Sequence, residues 1–143
     1  MSSDFATLSR PHLWPHVPPG ETLRGTVAAT QSKGFGGSLY GIGVTERRLI
    51  IQPFDRKIEP KGPPTVVAGR EALAAADLSG AGDGWLTAPT LILSAASVTL
   101  RVRADGGEKF KLMMMRGGSK LTGGDAQEAG VLALVELLSA ARQ

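Results

Sequence analysis

The chain has 143 residues, enough for one domain that buries roughly two thirds of its unfolded surface without a disulfide or metal staple. Hydrophobic residues make up 42% and charged residues 20%, the balance of an ordinary globular protein, and no apolar run approaches membrane-spanning length. Residues 24–62 carry seven Lys/Arg against three Asp/Glu and residues 99–120 six against two, in a chain whose formal charge is only +3; a fold that brings these stretches together makes a positive patch. Cysteine is absent, which excludes disulfides, thiolate metal sites and cysteine catalysis. Asp4, Pro11, Pro15, Pro18 and Pro19 stand where a secretory signal needs a continuous apolar segment, so the expected location is the cytoplasm.

Residues 1–21 read as an irregular, proline-rich arm whose aromatics Phe5 and Trp14 pack on the domain that follows, residues 22–143. From Leu23 to Gln31, Leu23, Gly25, Val27 and Ala29 alternate with polar or small residues, the period of a half-buried strand. Lys33-Gly34-Phe35-Gly36-Gly37 is a glycine-rich hairpin tip, after which Leu39–Thr45 places Tyr40, Ile42 and Val44 on one face. A two-residue Glu46-Arg47 loop then pairs Val44 with Leu49 and Ile42 with Ile51. Prolines 53, 60, 63 and 64 make residues 53–64 a long loop with Arg56, Lys57 and Lys61 mobile on it. Arg70–Leu78 reads as a short helical turn running into a strand near Ala75–Ser79, because Glu71-Ala72-Leu73-Ala74-Ala75-Ala76 has strong helix propensity.

Trp85 is expected at the core edge, and Thr90–Ser94 opens a second antiparallel group in which Leu93 pairs with Val98 and Leu91 with Leu100. Between Ser97–Ala104 and Glu108–Met115, a three-residue Asp105-Gly106-Gly107 loop puts Val102 opposite Phe110 and Leu100 opposite Leu112. The same register sets Arg101 opposite Lys111 and Arg103 opposite Lys109 on the outer face, where like charges repel. Met113 faces outward beside them. Asp125 and Glu128 have capping-box spacing, and Val131, Leu134, Val135 and Leu138, widened by Leu132, Leu137 and Ala141, predict a buried helix over 126–141. Gly130 inside it costs about 1 kcal/mol against alanine, which a close approach to a strand would explain.

About seven strands ending in one amphipathic helix, with Gly41-Ile42-Gly43-Val44-Thr45-Glu46-Arg47-Arg48-Leu49-Ile50-Ile51 as the second hairpin, resemble the bacterial pleckstrin-homology-like and GRAM-like domains. The resemblance implies a mainly β fold, two near-orthogonal sheets forming a partly open barrel that the helix caps. It also implies phosphoinositide contacts at the first hairpin, but this sequence has only Lys33 there, and Ser38, Tyr40 and Ile42 stand where the family has a basic cluster.

The chemistry of catalysis is poorly represented. His12 and His16 are four apart, but Pro15 removes the helix interior that would align them as metal ligands. Gly36-Gly37-Ser38-Leu39-Tyr40 misses the second glycine of a nucleophile elbow, and the glycine-rich tip joins two strands with no following helix N-terminus to hold a phosphate. The expectation is a non-enzymatic binding or scaffold module without a cofactor. Its candidate contact residues are Arg101, Arg103, Lys109 and Lys111, with Lys33, Phe35 and Arg47 at the hairpin tips, and its partner is a protein or the anionic inner face of a membrane. Two alternatives are a weak anion or nucleic-acid binder, which lacks stacking aromatics for any specific nucleic acid, and a small-molecule carrier with an internal cavity.

Overall fold

The structure is a computed structural model that describes residues 5–32, 37–55, 57–80, 97–104, 107–115 and 124–142. Seven strands, β1 (Gly25–Ser32), β2 (Gly37–Val44), β3 (Leu49–Phe54), β4 (Thr65–Val67), β5 (Asp77–Gly80), β6 (Ser97–Arg103) and β7 (Lys109–Met115), pair antiparallel in the order β4-β3-β2-β1-β7-β6-β5. The strand groups expected as two sheets are continuous, one sheet curled as a half-barrel. Among the described residues they meet at one pair, Thr30 with Met113. Helix α1 (Phe5–Leu13) precedes the sheet, α2 (Arg70–Ala75) leads into β5, and α3 (Gly124–Ala141) closes the chain.

The inner face of the sheet and α3 make one core. Val27, Ile42, Val44, Leu49, Ile51, Leu100, Val102, Phe110 and Leu112 meet Val131, Leu134, Val135 and Leu138 of the helix. Burying each such side chain contributes about 1.5–3 kcal/mol, and this favourable term holds the half-barrel shut on one side. Leu132, expected on the apolar face, is 36% exposed, at the margin of the buried stripe formed by positions 131, 134, 135 and 138. At the other end of α3, Arg142 donates to the Ala76 carbonyl at 2.7 Å and ties the helix to the α2–β5 junction.

Helix α3 sits on β1 more closely than ordinary side chains allow. A Cβ on Gly130 would lie 2.6 Å from the Thr26 carbonyl oxygen and 2.6 Å from Val27 Cγ2, and one on Gly25 would lie 2.7 Å from Gly130 Cα. One turn earlier, Gln127 reaches the β1 edge that faces β7: its Oε1 accepts the Ala28 N–H at 2.9 Å and its Nε2 donates to the Ala28 carbonyl at 3.0 Å. A side-chain amide therefore satisfies the two backbone groups that a neighbouring strand would otherwise take. Farther along, the Lys111 N–H donates to Gln31 Oε1 at 3.2 Å, a second glutamine bridging the parted strands.

The outer face carries the main departures from the sequence reading. The arm expected as irregular is helical over Phe5–Leu13, with Pro11 inside the helix, and continues as a 3₁₀ turn over Trp14–His16. Its anchor is Leu13, fully buried with Leu23 and Ile50. Leu23 thus lies outside, not on the Val27 face, since it precedes the start of β1 and packs over Gly43, where a Cβ would meet it at 3.1 Å. Trp14 is not buried on the domain: it is 51% exposed, with the Arg10 guanidinium 5.6 Å from its ring centre, and the Phe5 side chain lies outside the described residues. His12 packs edge-on against Phe54 at 5.9 Å.

The backbone of the loop after β3 is held by hydrogen bonds, and Arg56 of that loop lies outside the described residues. Asp55 Oδ1 accepts the N–H groups of Lys57 at 2.8 Å and Glu59 at 3.1 Å, and Gln52 Nε2 donates to the Pro53 and Gly62 carbonyls. These bonds turn the chain tightly enough that Ile58 adopts φ +59° and buries itself with Phe54 and Ala28. Both edges of β6 are occupied: Leu78 and Gly80 of β5 pair with Leu100 and Val98, so these residues do not have Leu91 and Leu93 as partners. Residues 81–96, Trp85 among them, lie outside the described residues, as do the side chains of the Asp125–Glu128 capping box.

A charged clamp fastens the arm to the β2–β3 turn. Arg48 donates from Nε and Nη2 to both carboxylate oxygens of Glu21, at 2.8–3.1 Å, and Thr45 Oγ1 donates to Glu21 Oε1 at 2.7 Å. The Arg48 guanidinium holds the Glu21 carboxyl below the usual carboxylate range, against a burial effect in the opposite direction.

Two variants probe these contacts. Gly130→Ala gains about 1 kcal/mol of helix propensity, but its methyl meets a backbone oxygen, and overpacking of this kind costs about 1–3 kcal/mol. Net destabilisation is expected in a denaturant titration; an unchanged or higher midpoint would show that α3 docks with room to spare. For Glu21→Gln the expected loss near neutral pH is about 1.5–3 kcal/mol, as for hydrogen bonds to charged groups. Because folding lowers the Glu21 pKa, its contribution is complete above the ordinary carboxylate value and disappears as pH falls through the lowered one. Thermal midpoints of wild type and variant should converge on acidification, and a constant gap would contradict the clamp.

Candidate functional site

The β6–β7 hairpin forms with the register its loop demands. Ala104 donates its N–H to the Glu108 carbonyl at 2.7 Å, the Gly107 N–H donates to the Ala104 carbonyl at 2.9 Å, and Gly107 has φ +94°. This left-handed glycine is what a three-residue loop requires at its last position. The pairs Val102–Phe110, Leu100–Leu112, Arg101–Lys111 and Arg103–Lys109 all occur. Alternation then sends Val102, Phe110 and Leu112 into the core and leaves all four cations exposed on the outer face.

These cations line a groove of about 890 Å³ along the seam between β1 and the hairpin. Its surface has three rows across β6 and β7: Thr99 with Met113, Arg101 with Lys111, and Arg103 with Lys109. Thr30 and Gln31 close it on the β1 side, because β1 and β7 separate after their one shared pair. Met113 is 43% exposed, as the alternation requires. Asp77, paired with Arg101 across β5 and β6, places Oδ1 3.8 Å from the guanidinium, an ion pair too long for a hydrogen bond. Among the described residues Arg103, Lys109 and Lys111 have no ion-pair partner of this kind. Beneath the groove Tyr40 packs edge-on against Phe110 at 5.9 Å. Burial first, and the Glu108 charge second, raise the Tyr40 hydroxyl above its usual pKa, so it stays a neutral phenol.

The seven residues singled out from sequence therefore divide. Arg101, Arg103, Lys109 and Lys111 converge on the groove. Arg47 does not: it lies in the β2–β3 turn beside the row of Gly25, Val44 and Leu49, at the opposite end of β1 from Thr30, where its backbone N–H donates to Thr45 Oγ1. Lys33 and Phe35 lie outside the described residues. Thr99 lies on β6 itself, on the same face as Arg101 and Arg103, whereas Thr30 and Gln31 join the lining because β1 runs beside β7, which no local pattern shows. The Asp77 counter-charge was missed for the same reason, as it depends on β5 pairing with β6.

No helix among the described residues is long and apolar enough to cross a membrane. No protein-family model matches the chain, and no curated protein matches it. Among solved structures, the hSac2 domain from the human phosphoinositide phosphatase Sac2 is similar, with a TM-score of 0.50 over 94% of this chain and 77% of that chain, at 12% sequence identity. At that identity the likeness is one of fold.

Proposed function

We propose that the chain is a non-enzymatic, cytoplasmic binding module of pleckstrin-homology-like fold that takes an acidic partner on the outer face of β6 and β7. The observation that carries this reading is the groove itself: two rows of cations, directly opposite one another on adjacent strands, lining one recess. Like charges so placed oppose folding, and a fold that tolerates the repulsion is understandable when an anion relieves it. The face offers charge and an apolar margin, which is a chemistry of attraction rather than of group transfer. The fold likeness to a domain of a phosphoinositide phosphatase, together with the Val44-Thr45-Glu46-Arg47-Arg48-Leu49-Ile50 hairpin, supports the pleckstrin-homology-like assignment.

Retention of the wild-type chain on heparin at low salt, with elution as salt is raised, is the first expected result. Replacing Arg103 and Lys109 together by glutamine should move elution to lower salt while the thermal midpoint stays equal or rises, because the two cations face each other and lack a described counter-charge. Absence of wild-type retention at low salt would remove the electrostatic reading, and a double variant that elutes unchanged would place the contact elsewhere.

A further inference from the structure

Resting on that reading, we propose that the groove binds an extended acidic polypeptide segment, with an apolar side chain and two carboxylates at alternate positions, laid along the β6–β7 ladder. The three rows of the groove differ in kind and follow in order: Thr99 with the exposed Met113, then Arg101 with Lys111, then Arg103 with Lys109. Same-face residues of a strand recur every about 6.6–6.8 Å, and an extended ligand repeats its own same-face side chains at the same interval. A segment with Leu or a similar residue at one position and Glu or Asp two and four residues away therefore meets the rows in register.

Width selects the same occupant. Opposed side chains on paired strands stand about 5 Å apart, so each row is wide enough for one carboxylate between two cations. Thr30 and Gln31 on β1 bound the groove along one side and give an extended chain a wall to lie against. Phe110 touches the groove floor but is only 5% exposed, so among the described lining residues no aromatic ring stands open for a base to stack on. Asp77 sets the limit on one side: its carboxylate already faces Arg101, so it competes with an incoming anion for that row.

The test uses the full-length protein and three probes: a fluorescent peptide containing Leu-Thr-Glu-Thr-Glu-Thr, a control of the same composition ordered Leu-Glu-Glu-Thr-Thr-Thr, and phosphatidylcholine vesicles containing phosphatidylserine. Anisotropy should show the alternating peptide binding about threefold to fivefold more tightly than the control, which keeps one glutamate in register with its leucine and so lacks one partly exposed ion pair. Its affinity should fall with added salt and by about tenfold in the Arg103→Gln, Lys109→Gln variant. Asp77→Asn should tighten binding about twofold to threefold by removing the competitor. The comparison of the two peptides on wild-type protein needs no variant to fold. If heparin retains the chain but the two peptides bind equally or not at all, the peptide inference falls and the cationic face remains. Vesicle binding that the double variant abolishes, without peptide binding, would make the occupant a bilayer and overturn the inference. Absence of heparin retention removes both readings together.

Discussion

The rest of the molecule depends on how close α3 comes to β1. Gly130 stands against the Thr26 carbonyl and Gly25 with no space for a side chain on either, and this lets the helix occupy ground that a neighbouring strand would hold. Once the helix is there, β1 cannot pair with β7 along most of its length, and Gln127 satisfies the freed Ala28 N–H and carbonyl. Among the described residues the sheet is continuous there through one pair, Thr30 with Met113. A curled sheet joined so narrowly must be closed by the apolar face of the helix, which Val131, Leu134 and Leu138 provide.

The same constraint decides what happens on the outside. Over β1, β2 and β3 the outer surface is covered, by Leu13 of α1 upon Leu23 and Ile50 and by Ile58 of the loop upon Phe54 and Ala28. The β6–β7 hairpin, beyond the seam, keeps four exposed cations on its outer face. Covered apolar surface on one side and open cationic surface on the other give the molecule a polarity that its net charge of +3 conceals. The clamp of Glu21 by Arg48 and Thr45 belongs to the covered half, where charges are consumed in holding the arm. Arg47 sits at that end too, so its charge cannot add to the groove.

Local features of this fold were legible in the sequence and long-range ones were not. Parity set the Ile42–Ile51 and Arg101–Lys111 pairings, because a turn of known length between alternating strands leaves no other register with both apolar sets on one face. Gly107 could be foreseen as left-handed, and Gly130 as a point of close approach, since each glycine breaks a pattern that another residue would serve better. Helix α1 was hidden by Pro11 and Pro15 and by the scarcity of periodic apolar residues; a single leucine, Leu13, anchors it, and tertiary burial overrides the local signal. The three-residue β4 was too short to announce itself. The neighbours of β6 depended on β5 returning to pair with it, a contact that no local pattern specifies, so Leu78 took the place expected for Leu91. The four groove cations were found because they follow from one hairpin, whereas Thr30, Gln31 and Asp77 come from strands that only the topology brings alongside.

The claim that ties fold to function is that the seam between β1 and β7 opens a recess on the outer face of the β6–β7 hairpin and that a partner lies there. Backbone amide shifts of isotope-labelled protein, titrated with the alternating acidic peptide, address it residue by residue. The largest changes are expected at Thr99, Arg101, Arg103, Lys109, Lys111 and Met113, with the turn at Arg47 and the exposed Trp14 unmoved. Changes centred on Trp14 and Arg10 of the α1 surface, with the β6–β7 amides unshifted, would contradict the account.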